Sequence, residues 1–233
     1  MKIKFLLCSI FCLLLNFNLF AEDVEIYSDN IKILDDNNII KSTNTKASIK
    51  EKKSFLEGKS SIYDKSKQEI TLTGDTIFID KLKNLKINAE EAVYDKKIDT
   101  LITNGITKIN IEDKYEILSK NMYYDRTSQN IFSNNETTIN DSLGNIYNIQ
   151  DAFKLNLITE VISSKKVNIL DNKNNLYFFE NSKIDLINKE IVGKELKIEF
   201  VDNFFGNSNN DPVLKGKSAI SNYKETKIYK TVF

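Results

Sequence analysis

Acid–base and nucleophilic chemistry have little to work with in this sequence. It contains no His and no Trp, and its only two Cys, Cys8 and Cys12, lie inside an apolar N-terminal run. Without imidazole, Ser-His-Asp and Cys-His catalysis are excluded, and so are the usual His/Cys zinc sites. Carboxylate, Lys and Tyr chemistry remain. The carboxylate pairs Asp35-Asp36 and Glu90-Glu91 have no context that marks an acid/base couple, and they read as surface. Gly58-Lys59-Ser60 and Gly216-Lys217-Ser218 carry the end of a phosphate loop, but Lys53 and Asp211 stand where its first Gly belongs, so both read as turns. Asp171 to Glu180 has the polarity of a calcium loop. Lys173 replaces an acidic ligand and no central Gly follows, which leaves a solvated turn. The reading is a non-enzyme, with no catalytic residue, no metal and no cofactor. Lys+Arg and Asp+Glu are both 33, and Arg126 is the single Arg, so no field or fork-shaped donor set argues for nucleic acid.

The elements that could position other functions come from the hydrophobic pattern. The chain has 233 residues, 41% hydrophobic and 28% charged, enough for a packed core. Met1-Lys2-Ile3-Lys4, the apolar stretch Phe5–Leu15 and a small residue at Ala21 before acidic Glu22-Asp23 predict an export signal over residues 1–21, cut between Ala21 and Glu22. An uncleaved anchor is the alternative. Cys12 follows Phe11 in mid-run, so a lipoprotein is rejected.

Beyond the signal, apolar residues recur with period two: Ile70 and Leu72, Ile109 and Ile111, Val167 and Ile169, then Leu196, Ile198 and Phe200. This is half-buried strand patterning. Asp35-Asp36-Asn37-Asn38, Asn134-Asn135 and Asp171–Asn175 mark hairpins or corners. Asn88–Val93 is a weak helical candidate that a strand accommodates equally well. A repeat lies underneath. Tyr63-Asp64, Tyr94-Asp95 and Tyr124-Asp125 are 31 and 30 residues apart, and Gly74, Gly105 and Asn135 each follow their Tyr by eleven residues. Tyr is expected at the sheet rim and Asp at the start of a turn. A strand repeat of this length needs neighbouring copies to continue its core. The expected fold is all-β, an antiparallel β-jellyroll or folded-over sheet built from ~30-residue strand repeats, over residues 22–200, with two exposed end strands. One end strand is Val24, Ile26, Ile31 and Ile33. The inward stripe is Ile70, Leu72, Ile77, Ile79, Leu101 and Ile109, then Ile117, Ile139, Val167, Ile169, Leu196 and Ile198. It is plain core if the sheet halves close on each other, and a ligand wall if they do not.

The tyrosine-aspartate repeat and the run Gly74-Asp75-Thr76-Ile77-Phe78-Ile79 resemble the organic-solvent-tolerance-like (OstA-like) N-terminal domain over about residues 24–200. Phe204–Gly216 and Lys227–Phe233 resemble the junction into the barrel of the LptD family of outer-membrane lipopolysaccharide-assembly proteins. Residues 201–233 are therefore expected to be a junction toward an absent C-terminal β-barrel, the chain being a fragment, a truncated frame or a split form. The resemblance implies a transporter at the periplasmic face of the outer membrane. Its jellyroll would carry the lipid A acyl chains of lipopolysaccharide, join a like-folded periplasmic bridge protein by β-strand augmentation, and meet a plug lipoprotein through the barrel. Members of the family tie this domain to the barrel by disulfides, and residues 22–233 contain no Cys. The alternatives are a stand-alone LptA-like bridge protein and a structural β-solenoid without ligand.

Overall fold

The computed structural model describes residues 24–50, 52–201, 213–222 and 225–232. The expected signal segment, its cleavage point at Ala21 and Glu22, and residues 204–212 of the expected junction lie outside them. All elements among the described residues are strands. The first nine are β1 (Val24–Tyr27), β2 (Asn30–Leu34), β3 (Ile39–Ile49), β4 (Ser54–Asp64), β5 (Glu69–Asp80), β6 (Leu85–Asp95), β7 (Thr100–Ile111), β8 (Tyr115–Lys120) and β9 (Tyr123–Asp125). The rest are β10 (Asn130–Ser133), β11 (Thr137–Asp141), β12 (Ile146–Ile149), β13 (Phe153–Asn156), β14 (Val161–Leu170), β15 (Leu176–Asp185), β16 (Glu190–Glu199), β17 (Val213–Ser221) and β18 (Thr226–Val232). Pairing is antiparallel throughout one 18-stranded sheet. Asn88–Val93 lies within β6, because Ile87, Ala89, Ala92 and Tyr94 are the residues this stretch buries and its neighbours β5 and β7 take up its backbone.

The sheet is a meander folded across a crease. β1 and β2 pair with opposite ends of β3, so they are two halves of one pass, and the same holds for β8 with β9, β10 with β11 and β12 with β13. Near mid-pass the backbone turns left-handed at Asn44, Gly74, Asp75, Gly105, Asn121, Lys166 and Glu195. Gly74-Asp75 and Gly105-Ile106 each oppose Glu90 alone, a bulge that bends the strand. The glycine of the repeat therefore sits at the crease. Each half-sheet forms an arm. The first arm ends in the turns at 65–68, 96–99, 126–129, 157–160 and 186–189, and the second in those at 81–84, 112–114, 142–145 and 171–175.

The repeat's Asp closes the first-arm turns. Asp64 accepts hydrogen bonds from the N–H groups of Ser66 and Lys67, Asp95 from those of Lys97 and Ile98, and Asp125 from that of Ser128. Asn156 and Asp185 do the same in the fainter copies. Such carboxylates satisfy donors that the turn leaves unpaired. Tyr94 and Tyr124, beside them, are buried.

Between the arms lies one apolar core. At the apex, where the arms converge, small hydroxyl residues replace the large aliphatics and bond to one another. The side chain of Ser42 meets those of Thr45 and Ser61 at 2.8 and 2.7 Å, Thr103 meets Thr107 at 2.7 Å, Ser119 meets Thr137 at 2.8 Å and Ser164 meets Ser182 at 2.7 Å. All are buried, and each satisfied pair avoids the cost of an orphaned polar group.

Three expectations differ from this fold. Ile77 and Ile79 face outward and are half-buried, while Thr76, Phe78 and Asp80 take the inner positions. Polar inner residues hold here because each has a partner: Thr76 donates to the Ala89 carbonyl at 2.8 Å, and Asp80 receives Tyr124 and Arg126. The sheet does not end at residue 200, since β17 and β18 extend it through hydrogen bonds to β16, so the second half of the expected junction belongs to the domain. Both Gly-Lys-Ser motifs lie in mid-strand at the crease, within β4 and β17, and not in the turns expected of them.

Candidate lipid-binding interior

The interior changes character along the stack. Leu101, Ile109, Ile117, Ile139 and Val167 are fully or almost fully buried, as are Ile70, Leu72, Leu196 and Ile198, and Ile109 faces Ile117 across β7 and β8. The arms close over these residues. They form a solid core in this state and not the open groove that the stripe allowed.

A polar latch holds the arms together in the N-terminal half. Arg126, on the first-arm turn after β9, donates through Nε to Asp80 at 2.9 Å and through Nη1 to Asp99 at 3.0 Å. Its Nη2 reaches the carbonyl of Lys52 at 3.1 Å. Asp80 and Lys52 belong to the second arm, Asp99 and Arg126 to the first, so the guanidinium spans the seam. Tyr94 donates to Asp99 at 2.6 Å and Tyr124 to Asp80 at 3.0 Å. The side chains of Arg126 and Asp80 are 6% and 2% exposed. Burial disfavours the guanidinium charge, but the hydrogen bonds and field of Asp80, with Asp99, more than offset it and raise its pKa above the ordinary value. Burial, aided by Asp99 and Asp80, pushes the phenols of Tyr94 and Tyr124 up, so both remain neutral donors.

Past the latch the seam opens. A cleft of about 190 Å3 sits between Leu82, Tyr115 and Leu157, and beyond it a mouth of about 870 Å3 parts the arm ends. Ile169, Tyr177 and Phe179 of the second arm face Ile184, Leu186 and Ile191 of the first across this mouth. Its rim is polar and carries both charges, with Lys114, Lys173 and Lys189 beside Asp141, Glu160 and Asp185. Asp141 and Asp171 accept the phenols of Tyr147 and Tyr177 at 3.1 and 3.2 Å, fixing the aromatic rings at the lip. Burial first, then Asp171, pushes Tyr177 up to about 12. Asp171 also takes the N–H groups of Lys173 and Asn175, so the calcium-like segment is a closed turn. Among the described residues no group of acids could hold a metal ion. The volume is within the range of ~300–1,000 Å3 usual for ligand sites.

Of the twelve stripe residues only Ile169 lines this mouth. The edge residues Val24, Ile26, Ile31 and Ile33 occupy β1 and β2, which are hydrogen-bonded to β3 on one side only among the described residues. Ile31 and Ile33 pair with inner positions of β3, yet are 53% and 54% exposed, so the described residues leave the apolar interior uncovered at this end. At the far end β18 pairs, among the described residues, with β17 alone. Sequence reasoning missed the latch and most of the mouth. Arg126 has a legible signal: it opens the turn after the third Tyr-Asp, where Lys65 and Lys96 stand in the first two copies.

No protein-family model matches this chain, and no curated protein sequence does either.

Proposed function

We propose that this chain is a lipid carrier of the lipopolysaccharide-transport type, exported to the periplasmic face of the outer membrane, where its folded sheet holds acyl chains and catalyses no reaction. The observation that carries this reading is the seam mouth. An apolar wall built from both arms opens sideways at an aromatic lip, and a polar rim surrounds it. Each buried methylene of an acyl chain gains roughly 0.8 kcal/mol over water, so a wall without directional polar contacts binds such chains yet lets them slide. The head group stays at the rim, among Lys114, Lys173 and Lys189. The edges at β1–β2 and β18, paired on one side only among the described residues, suit strand addition by a like-folded bridge protein, and a plug lipoprotein would be met only through a barrel.

The test is photo-crosslinking in cells, with probes at Tyr177, Phe179 and Ile191 and a control at Ile109. Capture of lipopolysaccharide from the mouth and not from Ile109 supports the carrier. The closed core at Ile109 and Ile117 favours a second reading, a structural β-solenoid without ligand, and absence of lipid from every mouth position would leave that reading standing. Photo-crosslinkers at Ile26 or Ile31 test the bridge: efficient capture from β16 alone would reverse the proposed polarity.

A further inference from the structure

The outer face of the first arm carries a feature that the interior does not use. Between β9 and β17 it is concave, enclosing about 1100 Å3. Two rows of side chains cross it. The first runs Tyr123, Phe132, Lys154, Ser163, Lys183, Val192 on successive paired strands. The second runs Lys165, Asn181, Lys194, Ser218. Within each row lysines alternate with small residues, most of them hydroxyl- or amide-bearing, so like charges never oppose each other directly and stand two strands, roughly 10 Å, apart. Among the described residues none of the four lysines has a carboxylate within ion-pair distance. The one acid on the wall is Asp125, committed to its own turn. Asp185 and Glu190 lie one row nearer the arm's end, outside the concavity.

We propose that this concave face binds an anionic oligosaccharide. Four ammonium groups without an ion-pair partner among the described residues call for a polyanion, and their spacing fits anionic groups distributed along a chain better than one compact phosphate. Ser163 and Asn181 between the charges, and Ser218 beyond Lys194, supply hydrogen-bonding groups, as sugar hydroxyls require. At the row's end Tyr123 and Phe132 stack at 4.7 Å between ring centroids, a half-buried aromatic platform against which the polarised C–H face of a sugar ring can lie. The row spans six strands, roughly 24 Å, enough for several sugar units. A flat bilayer does not follow a concave surface, and an acidic protein would meet apolar anchors only at the platform of Tyr123 and Phe132 and at Val192, at opposite ends of the row. This site is separate from the seam mouth and does not rest on the acyl-chain reading.

The test uses a fluorescein-labelled dextran sulfate oligosaccharide, with neutral dextran, poly-glutamate and phosphatidylglycerol vesicles as the other probes. Dextran sulfate should bind with a salt-sensitive affinity and neutral dextran should not. Combining Lys165→Gln, Lys183→Gln and Lys194→Gln should weaken binding about tenfold. Phe132→Ala should weaken it independently, Lys183→Arg should retain it, and Lys41→Gln with Lys86→Gln, elsewhere on the outer surface, should leave it unchanged. The proposal is overturned if the triple variant binds as well as the parent, or if the Lys41/Lys86 pair loses as much. It is overturned equally if poly-glutamate or the vesicles bind as tightly as dextran sulfate and Phe132→Ala has no effect, since the face would then be a general anion surface for an acidic protein or a membrane.

Discussion

Arg126 shows how much one side chain can decide at the residue scale. A buried ion pair is weak ground for net stability, but removing one partner leaves the other charged and dry. Arg126→Gln should therefore cost about 3–5 kcal/mol in urea unfolding, because Asp80 would keep its burial and lose its counter-charge. Adding Asp80→Asn should restore much of that loss, and a double-mutant cycle that finds the two substitutions additive would remove the latch from the account. The same logic separates two kinds of apolar position. Ile109→Asp places a charge in closed core and should unfold the domain. Ile191→Asp, at the mouth, can keep its charge hydrated, so thermal melts should move little while lipid crosslinking at Tyr177 falls. Gly193 is constrained by packing alone: a Cβ there would run into the Phe179 ring, so Gly193→Val should displace that ring from the wall of the mouth and weaken lipid capture.

At the scale of elements the bends carry the strain. Gly74 and Gly105 adopt φ of 76° and 80°, where a side chain is disfavoured, while Lys166 and Glu195 adopt similar left-handed values without being glycine. Gly105→Val should destabilise the fold. Glu195→Gly should be neutral or stabilising by up to about 1 kcal/mol, a reversal of the usual order that melts of the two variants would reveal. Much of this level was legible in the sequence. Alternation marked the strands, and the Tyr-Asp repeat marked the first-arm hairpins because its carboxylate has a defined job in the turn. The phase of each strand was legible only where apolar and polar residues alternate cleanly. In Thr76–Asp80 hydrophobicity favours Ile77 and Ile79, and tertiary partners for Thr76 and Asp80 override it. At the apex nothing local in the sequence marks the hydroxyl residues as buried, because their bonding partners come from other strands and from across the crease.

For the whole molecule, the titratable groups set a pH profile. There is no His, so no ordinary side chain titrates near neutrality. Tyr94, Tyr124 and Tyr147 are raised above their ordinary 10.0 by burial and by neighbouring carboxylates, as is Tyr177. A raised folded value means that the stabilisation is complete below 10.0 and is lost as pH climbs above it. Hydrogen bonds from Ser66, Ser128 and Asn188 lower Asp64, Asp125 and Asp185 below 3.8, so their contribution is present above that value and lost as pH falls beneath it. Melting temperatures should thus be flat from about pH 5 to 9 and fall on both sides. A step near pH 6.5 would contradict this profile.

The hydroxyl pairs at the apex have a mechanical consequence. A hydroxyl hydrogen rotates about its C–O bond, and either partner can be the donor. Thr45 with Ser42 and Ser61, and Thr103 with Thr107, bond across the crease, so they can exchange roles if the two arms pivot by a few degrees while the backbone ladder within each arm remains whole. Such a joint behaves like the spine of a book between stiff covers. On the proposed carrier reading, a guest of greater girth would be admitted by widening the angle between the covers, without rearranging the side chains of the walls.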